Sequence, residues 1–288
     1  MKDLGVESLV IYSEADEGSA YIDEASSAVR MDGNRPDETY LNKEAILEIA
    51  KKHGADAIHP GYGFLSENAS FARQVKNSGL LFIGPDPDLI EQMGEKVKGR
   101  ETMAAHGFPV FPGSEALENK ENIDELAGGI GFPLVVKPSG GGGGIGMQVV
   151  SHLQDLSVAI ARASSIAEKA FSDSTLYLEK WIDRPRHIEF QIIGEGKGGC
   201  VHAFDRECSV QRRHQKLIEE SPSPGLDETM LSERAELAAE VCRKIKYGSL
   251  GTLETLFLQN GEMGFLEMNT RIQVELSLIH ISEPTRPY

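Results

Sequence analysis

Apolar positions in the first third of the chain alternate between short runs and helical stripes. SLVIY (Ser8–Tyr12) reads as a β-strand. In NKEAILEIAKKHG, Asn42 stands where an N-cap belongs, Ile46, Leu47 and Ile49 form one apolar stripe, and Gly54 follows the end. ADAIHPGYG reads as a short strand running into a Pro/Gly turn. SENASFARQVKNSG repeats the cap–helix–glycine order, and LLFIGP is another strand. Strand–helix–strand order at this spacing predicts a parallel sheet covered by helices. A helical stretch from about Asp86 to Gly107 joins this lobe to the next.

The pattern then changes. PLVVKPSGGGGGIGMQVV reads as strand, glycine loop, strand, followed by a helix through LSVAIARASSIAEKAF and a strand in STLYLEKWI. RHIEFQIIGE and GCVHAFDRECSV are expected to pair across a Gly-rich turn. SERAELAAEVCRKIKYG predicts an amphipathic helix ending at Gly248. GTLETLFLQNGEMGFLEMNTRIQVE predicts a hairpin turning at QNGE, because Asn-Gly is a strong turn signal. No internal repeat is evident.

Composition narrows the classes. A chain of 288 residues should hold two compact units at roughly 100–200 residues per domain. Forty per cent hydrophobic and 26% charged residues suit globular cores. A formal charge of −16 argues against binding a nucleic-acid backbone with the whole surface, but leaves room for a local anion pocket. Cys200, Cys208 and Cys242 form no CxxC pair and read as packing residues of a reducing compartment. No apolar run reaches the roughly 20 residues of a membrane helix. The N-terminus has no secretory pattern and reads as a start partway into a domain.

Gly141, Gly143 and Gly146 match G-x-G-x-x-G, within a run of five glycines from Gly140 to Gly144. The dinucleotide fingerprint needs a helix after the loop, and MQVV has β character, so that reading fails on context. A phosphate loop of the Gly-Lys-Ser/Thr kind fails too, since no such triplet follows. What survives is a glycine flap between two strands, whose N–H groups can close over phosphates, with Lys137 at the end of the entering strand. The plainer alternative, a linker, is disfavoured by the flanking strands and the lysine.

In EMNTRIQVE, Glu267, Asn269, Arg271, Gln273 and Glu275 occupy alternate positions and would share one face of a strand. Met268, Thr270, Ile272 and Val274 would face the other way and need cover. An exposed strand face is the ordinary explanation for charge, but it does not account for this ordered set. Magnesium takes one or two carboxylates plus phosphate oxygens. Glu254 could join Glu267 across the hairpin, with Asn269 as a neutral donor, Arg271 as a fork for a small oxyanion and Glu275 as a base. FDRECSVQRRHQKLIEE adds Arg206, Arg212, Arg213, Lys216, His214 and Gln211, which spacing alone leaves open between a solvated charge run and a site.

HPGYGFLSENASFA, KPSGGGGGIGM, RHIEFQI, RECSVQRRHQKLIEE and EMNTRIQVE together make the chain resemble the biotin carboxylase subunit or domain of biotin-dependent carboxylases, which are ATP-grasp enzymes. The resemblance runs from about Leu4 to Glu275. It implies an α/β fold, α+β in the lid: an ATP-grasp fold preceded by a Rossmann-like parallel-sheet N-terminal lobe, incomplete at both ends. The implied parts are a first lobe over 1–84, linker helices over 85–110, a lid over 111–181 and a central subdomain over 182–276. Residues 277–288 are expected to be a non-native tail resembling sequencing-adapter read-through.

The implied reaction forms carboxyphosphate from MgATP (or MnATP) and bicarbonate, then carboxylates biotin on a carrier. Lys96 and Lys137 would hold ATP phosphates under the loop glycines Gly141, Gly142, Gly143, Gly144 and Gly146, with Met147 beside them. The EKWI segment would take adenine (Glu179, Lys180, Ile182), with His187, Gln211 and His214 nearby. Glu254, Glu267 and Asn269 would bind the metal. Lys216, Arg271, Gln273 and Val274 would hold bicarbonate, and Glu275 would deprotonate it, making Glu275, Arg271 and Lys216 the catalytic set. Where the family usually has alanine, and often arginine, this chain has Pro138 and Ile145.

The family's partners would be a biotin carboxyl carrier and carboxyltransferase subunits, with a homodimer when complete, no nucleic acid and no membrane. Its compartment would be the cytoplasm, or a mitochondrial matrix in a eukaryote. A chain cut at both ends is expected to be inactive by itself. Two other readings stay open here: another ATP-grasp carboxylate ligase, and a nucleotide-binding module without turnover.

Overall fold

The computed structural model describes residues 2–117, 122–140, 144–213, 215–274 and 276. Gly141, Gly142, Gly143, His214, Glu275 and the tail from 277 lie outside the described residues.

In the first lobe, β1 (Leu9–Tyr12) pairs in parallel with β2 (Ser27–Arg30), and β3 (Ala57–Ile58) with β4 (Leu81–Phe82). Between them run α1 (Ala20–Glu24), α2 (Lys43–Lys52) and α3 (Ala69–Asn77). Asn42 Oδ1 accepts from Ala45 N at 3.1 Å and Asn68 Oδ1 from Phe71 N at 2.9 Å, caps worth about 1 kcal/mol each. Phe71 and Val75 turn inward against Phe82 and Ile90 to form a small core.

The helical stretch after β4 is two helices, α4 (Pro87–Gly94) and α5 (Lys96–Ala105). Gly94 is a weak helix former, and Glu95 takes an extended backbone at φ −92°, ψ 113°. The break places Lys96 at the first position of a new helix. Neither helix is a free spacer, because Met93 and Met103 enter the main core.

The next unit contains α6 (Ile123–Ile130), β5 (Leu134–Pro138), β6 (Gln148–Val150), α7 (Leu156–Phe171) and β7 (Leu176–Lys180). Its antiparallel sheet has the order β6-β5-β7, and α6 and α7 bury Ala127, Ile160, Ala163 and Ala167 against it. The final unit is a five-stranded antiparallel sheet of order β10-β9-β8-β11-β12. Its strands are β8 (Arg186–Glu195), β9 (Cys200–Arg212), β10 (Gln215–Glu220), β11 (Gly248–Phe257) and β12 (Met263–Asn269), with α8 (Glu228–Lys244) between β10 and β11. Ile188, Phe190 and Ile192 alternate along β8 and are wholly buried in the core that α8 shares, where truncating Phe190 to alanine would cost about 3–5 kcal/mol. Among the described residues no helix is long and apolar enough to cross a membrane.

Two sequence expectations need correction. The helix α8 stops at Lys244, and Gly248 instead opens β11, where a Cβ would sit 3.0 Å from Gly196 Cα in the β8–β9 turn. The last strand ends at Asn269, not at Glu275. Thr270 N donates to Glu67 Oε1 of the first lobe at 3.0 Å instead of extending the ladder. Strict alternation ends there: Thr270 and Gln273 are buried, whereas Val274 is 49% exposed. Met268, expected to need cover, is already packed in the main core.

Candidate active site

The three-stranded sheet and the five-stranded sheet face each other across a cavity of about 950 Å³. Lys96, Lys137, Gly144, Met147, Glu179, Lys180, Ile182, His187, Gln211, Lys216, Glu254, Glu267, Asn269, Arg271, Gln273 and Val274 all line it. Gly146 does not; its φ is +81°, and a Cβ there would meet Pro138 Cγ at 3.0 Å. Val135, Leu256, Phe265 and Leu266 give the cavity an apolar wall, and Trp181 lines it beside the end of β7.

On the side of the three-stranded sheet, β5 and β7 bring Lys137 and Glu179 together as a buried ion pair, their side chains 11% and 8% exposed. Lys180 turns its ammonium away, donating to the carbonyls of Gly131 and Phe132 at 3.2 and 3.1 Å. Its contribution to the cavity is therefore backbone rather than charge. Gly144, at φ +70°, and Ile145 next to it also face the cavity.

At the opposite wall, Glu254 and Glu267 are direct cross-strand partners on β11 and β12. Glu254 is nearly buried and fully engaged. Its Oε1 accepts from Lys216 Nζ at 2.8 Å and Asn269 Nδ2 at 2.7 Å, and its Oε2 lies 2.7 Å from His187 Nε2. The histidine contact is short but not aligned as a hydrogen bond. Gln211 Nε2 sits 2.8 Å from His187 Nδ1, which favours the tautomer with its proton on Nε2, toward Glu254. Burial pushes the Glu254 carboxyl up, but His187 and Lys216 outweigh it and hold it at about 2. Glu267 keeps 34% of its side chain open to the cavity, deep in the cleft, with Lys96 Nζ 3.7 Å away. Burial and the Glu254 charge together raise its carboxyl above the usual range.

Two like carboxylates forced together, one of them raised by the other's charge, are a donor set that suits a hard divalent cation. Oxygen ligands on facing strands, with an open side toward the cavity, fit magnesium sharing phosphate oxygens. His187 and Glu189 also gather at Glu254, within 4.8 Å of each other's ligand atoms. Lys216 bridges Glu254 and Glu189, whose Oε2 it reaches at 2.5 Å. Burial pushes its ammonium toward neutrality, but the two carboxylates hold it well above the ordinary lysine value.

Beyond the end of β12, Arg271 Nε donates to Glu67 Oε2 at 2.9 Å and its Nη2 to Asn269 Oδ1 at 3.2 Å. Asn269 thus links the arginine to Glu254. The described residues of EMNTRIQVE that resemblance placed in the site all line the cavity, but not on one strand face: β12 supplies Glu267 and Asn269, and the bent segment after it supplies Arg271, Gln273 and Val274. Arg212 and Arg213 of the basic cluster are exposed, whereas Arg206 is buried.

Sequence reasoning missed Glu67 and Glu189 and gave Arg206 no role. Glu67 lies within HPGYGFLSENASFA. In RHIEFQI, His187, Glu189 and Gln191 share one face opposite the wholly buried Ile188, Phe190 and Ile192. That period-two signal was available.

The family model for the N-terminal domain of biotin carboxylase matches residues 1–90, and that for the ATP-binding domain of the carbamoyl-phosphate synthase L chain matches 95–281. A biotin carboxylase of Halalkalibacterium halodurans is 46% identical over 273 residues, 94% of this chain and 60% of the relative. The biotin carboxylase–β,γ-ATP complex from Campylobacter jejuni superposes with a TM-score of 0.92 at 43% identity, over 97% of this chain and 63% of that one. The biotin carboxylase domain dimer of Hydrogenobacter thermophilus 2-oxoglutarate carboxylase, with MgADP, ADP and bicarbonate, gives 0.91 at 42%, over 96% and 61%. The chain thus spans about three fifths of the length of these relatives. With both domain models matched in order along its length, the chain belongs to the biotin carboxylase family of ATP-grasp proteins.

Proposed function

We propose that this chain carries the nucleotide- and bicarbonate-handling cleft of a biotin carboxylase, the part that makes carboxyphosphate from MgATP and bicarbonate before biotin on a carrier is carboxylated. One observation carries the reading. A single cavity collects two facing carboxylates, Glu254 and Glu267, the cations Lys96, Lys137, Lys216 and Arg271, and an apolar wall beside the lid strand.

In this reading the parts are a first lobe over 1–84, connecting helices over 85–110, a lid over 111–181 and a central subdomain over 182–276. The backbone from Glu179 to Ile182 receives adenine against the apolar wall. Lys96, Lys137 and the glycine flap hold the phosphates. Glu254 and Glu267, with Asn269, hold magnesium, which when bound neutralises charge on the phosphates. Lys216, Arg271, Gln273 and the Val274 backbone hold bicarbonate. Glu275 takes its proton, a bicarbonate oxygen attacks the γ-phosphorus, and ADP leaves with the bond's electron pair. The acceptors that follow are a biotinylated carrier and a carboxyltransferase, and the complete protein is a soluble homodimer. Its compartment is the cytoplasm or a mitochondrial matrix.

The test is nucleotide titration at millimolar MgADP and ADP, read by the fluorescence of the single tryptophan, Trp181, which lines the cavity. The expected result is saturable quenching that magnesium strengthens, with the magnesium effect lost in Glu254→Gln/Glu267→Gln. Saturable binding with the same magnesium dependence in that variant contradicts the metal assignment, and no binding at all contradicts the site.

A further inference from the structure

Arg206, on β9, is 8% exposed and lies behind the cavity wall. Its guanidinium meets four groups. Nε donates to Glu189 Oε1 at 2.5 Å and Nη1 to Gln191 Oε1 at 3.1 Å. Nη2 donates to Gln273 Oε1 at 3.0 Å and Thr252 Oγ1 at 3.4 Å. A guanidinium has only donors, so the end of any amide that meets it is the carbonyl oxygen. The orientation of the Gln273 amide follows from that rule. Its oxygen faces Arg206, and its amino group is the end left for the cavity that Gln273 lines. The same guanidinium holds one oxygen of the wholly buried Glu189, whose other oxygen holds Lys216.

We infer that Arg206 is the positioning residue of the small-oxyanion subsite: by fixing Gln273 and Glu189 it makes the Gln273 amino group and the Lys216 ammonium face the cavity beside Arg271. Three converging donors select a compact oxyanion such as bicarbonate over a neutral or cationic ligand. This deepens the bicarbonate assignment above and rests on it. Arg206 touches no substrate. It acts through the two side chains it orients.

The test uses the ¹⁵N-labelled chain of 288 residues titrated with sodium bicarbonate, with sodium chloride as control. The Gln273 side-chain amide signals are identified by their loss in Gln273→Glu. In the unmodified chain these signals and Arg271 Nε shift saturably with bicarbonate but not with chloride. In Arg206→Lys, which keeps a charge near Glu189 but cannot fork, the bicarbonate dissociation constant rises at least tenfold and the Gln273 amide shifts change in the absence of ligand. Unchanged affinity in Arg206→Lys overturns the positioning role while the bicarbonate assignment stands. An unmodified chain that gives no saturable response overturns the assignment and the inference with it. Should Arg206→Lys fail to fold, Gln273→Glu decides: it keeps a partner for Arg206 but replaces the cavity donor by an acceptor. Retained bicarbonate affinity in folded Gln273→Glu overturns the inference.

Discussion

Lys137→Met should separate a structural role from a ligand role at one residue. The lysine and Glu179 are both nearly buried and paired across the neighbouring strands β5 and β7. Removing one partner of a buried pair costs about 3–5 kcal/mol, because the other charge is left uncompensated. Glu179 lines the cavity, where water can reach it, so about 3 kcal/mol is the expected loss. The double variant Lys137→Met/Glu179→Gln removes both charges and should recover to within about 1 kcal/mol of the parent. Nucleotide affinity should behave differently. A charge-assisted phosphate contact is worth about 1.5–3 kcal/mol, or about 10- to 150-fold in affinity, and Glu179→Gln cannot restore it. Urea denaturation and ADP titration, both followed through Trp181, give the two quantities. Stability recovered without affinity supports the reasoning. A stable single variant, or a double variant with parental ADP affinity, refutes it.

Other consequences follow from the same geometry. Gly146→Ala should destabilise the fold by about 1–2 kcal/mol in urea, since φ is +81° and the new Cβ would crowd Pro138 Cγ at 3.0 Å; no loss of stability would show that the segment relaxes freely. Glu254, held at about 2 against an ordinary 4.5, binds its proton less tightly folded than unfolded. Its contribution to stability is therefore complete above pH 4.5 and lost as pH falls toward 2, while Glu267, shifted upward, works in the opposite sense. Urea midpoints between pH 5 and 3 should fall less steeply in Glu254→Gln, and an identical slope would contradict the pairing. Glu67→Ala should leave ADP affinity unchanged yet weaken bicarbonate binding about tenfold, because it frees Arg271 at a cost near that of one charged hydrogen bond. Equal bicarbonate affinity in titration would show that Arg271 is held well enough by Asn269.

Much of the fold was legible because local signals agreed with tertiary structure. Asn42 capped its predicted helix, Asn260-Gly261 turned the last hairpin, and β5 and β6 flanked the glycine loop as expected. The strands β2 and β10 were missed for a physical reason. SAVR and QKLIEE are largely exposed edge segments, and edge strands carry no buried face to imprint alternation on the sequence. The short helix α6 went unread as well. The site was legible in its residue types, and less so in its path. Five alternating polar residues suggested one straight strand face, but Glu67 diverts the backbone at Thr270, so Arg271 and Gln273 enter the cavity from a bend. A contact spanning from the first lobe to the end of the last sheet leaves no local trace in either segment. Arg206 was conspicuous as charge, and only burial distinguishes it from Arg212 and Arg213.

We propose that this cleft activates bicarbonate with MgATP for transfer to biotin, and that proposal can be put to a direct test. Residues 1–275 are grafted into the Halalkalibacterium halodurans biotin carboxylase in place of its matching segment. Labelled bicarbonate incorporated into free biotin is then followed. Incorporation is expected to require ATP and magnesium together and to be abolished by Glu254→Gln. A folded chimera that cleaves ATP without bicarbonate, or that carboxylates biotin equally well with Glu254→Gln, would contradict it.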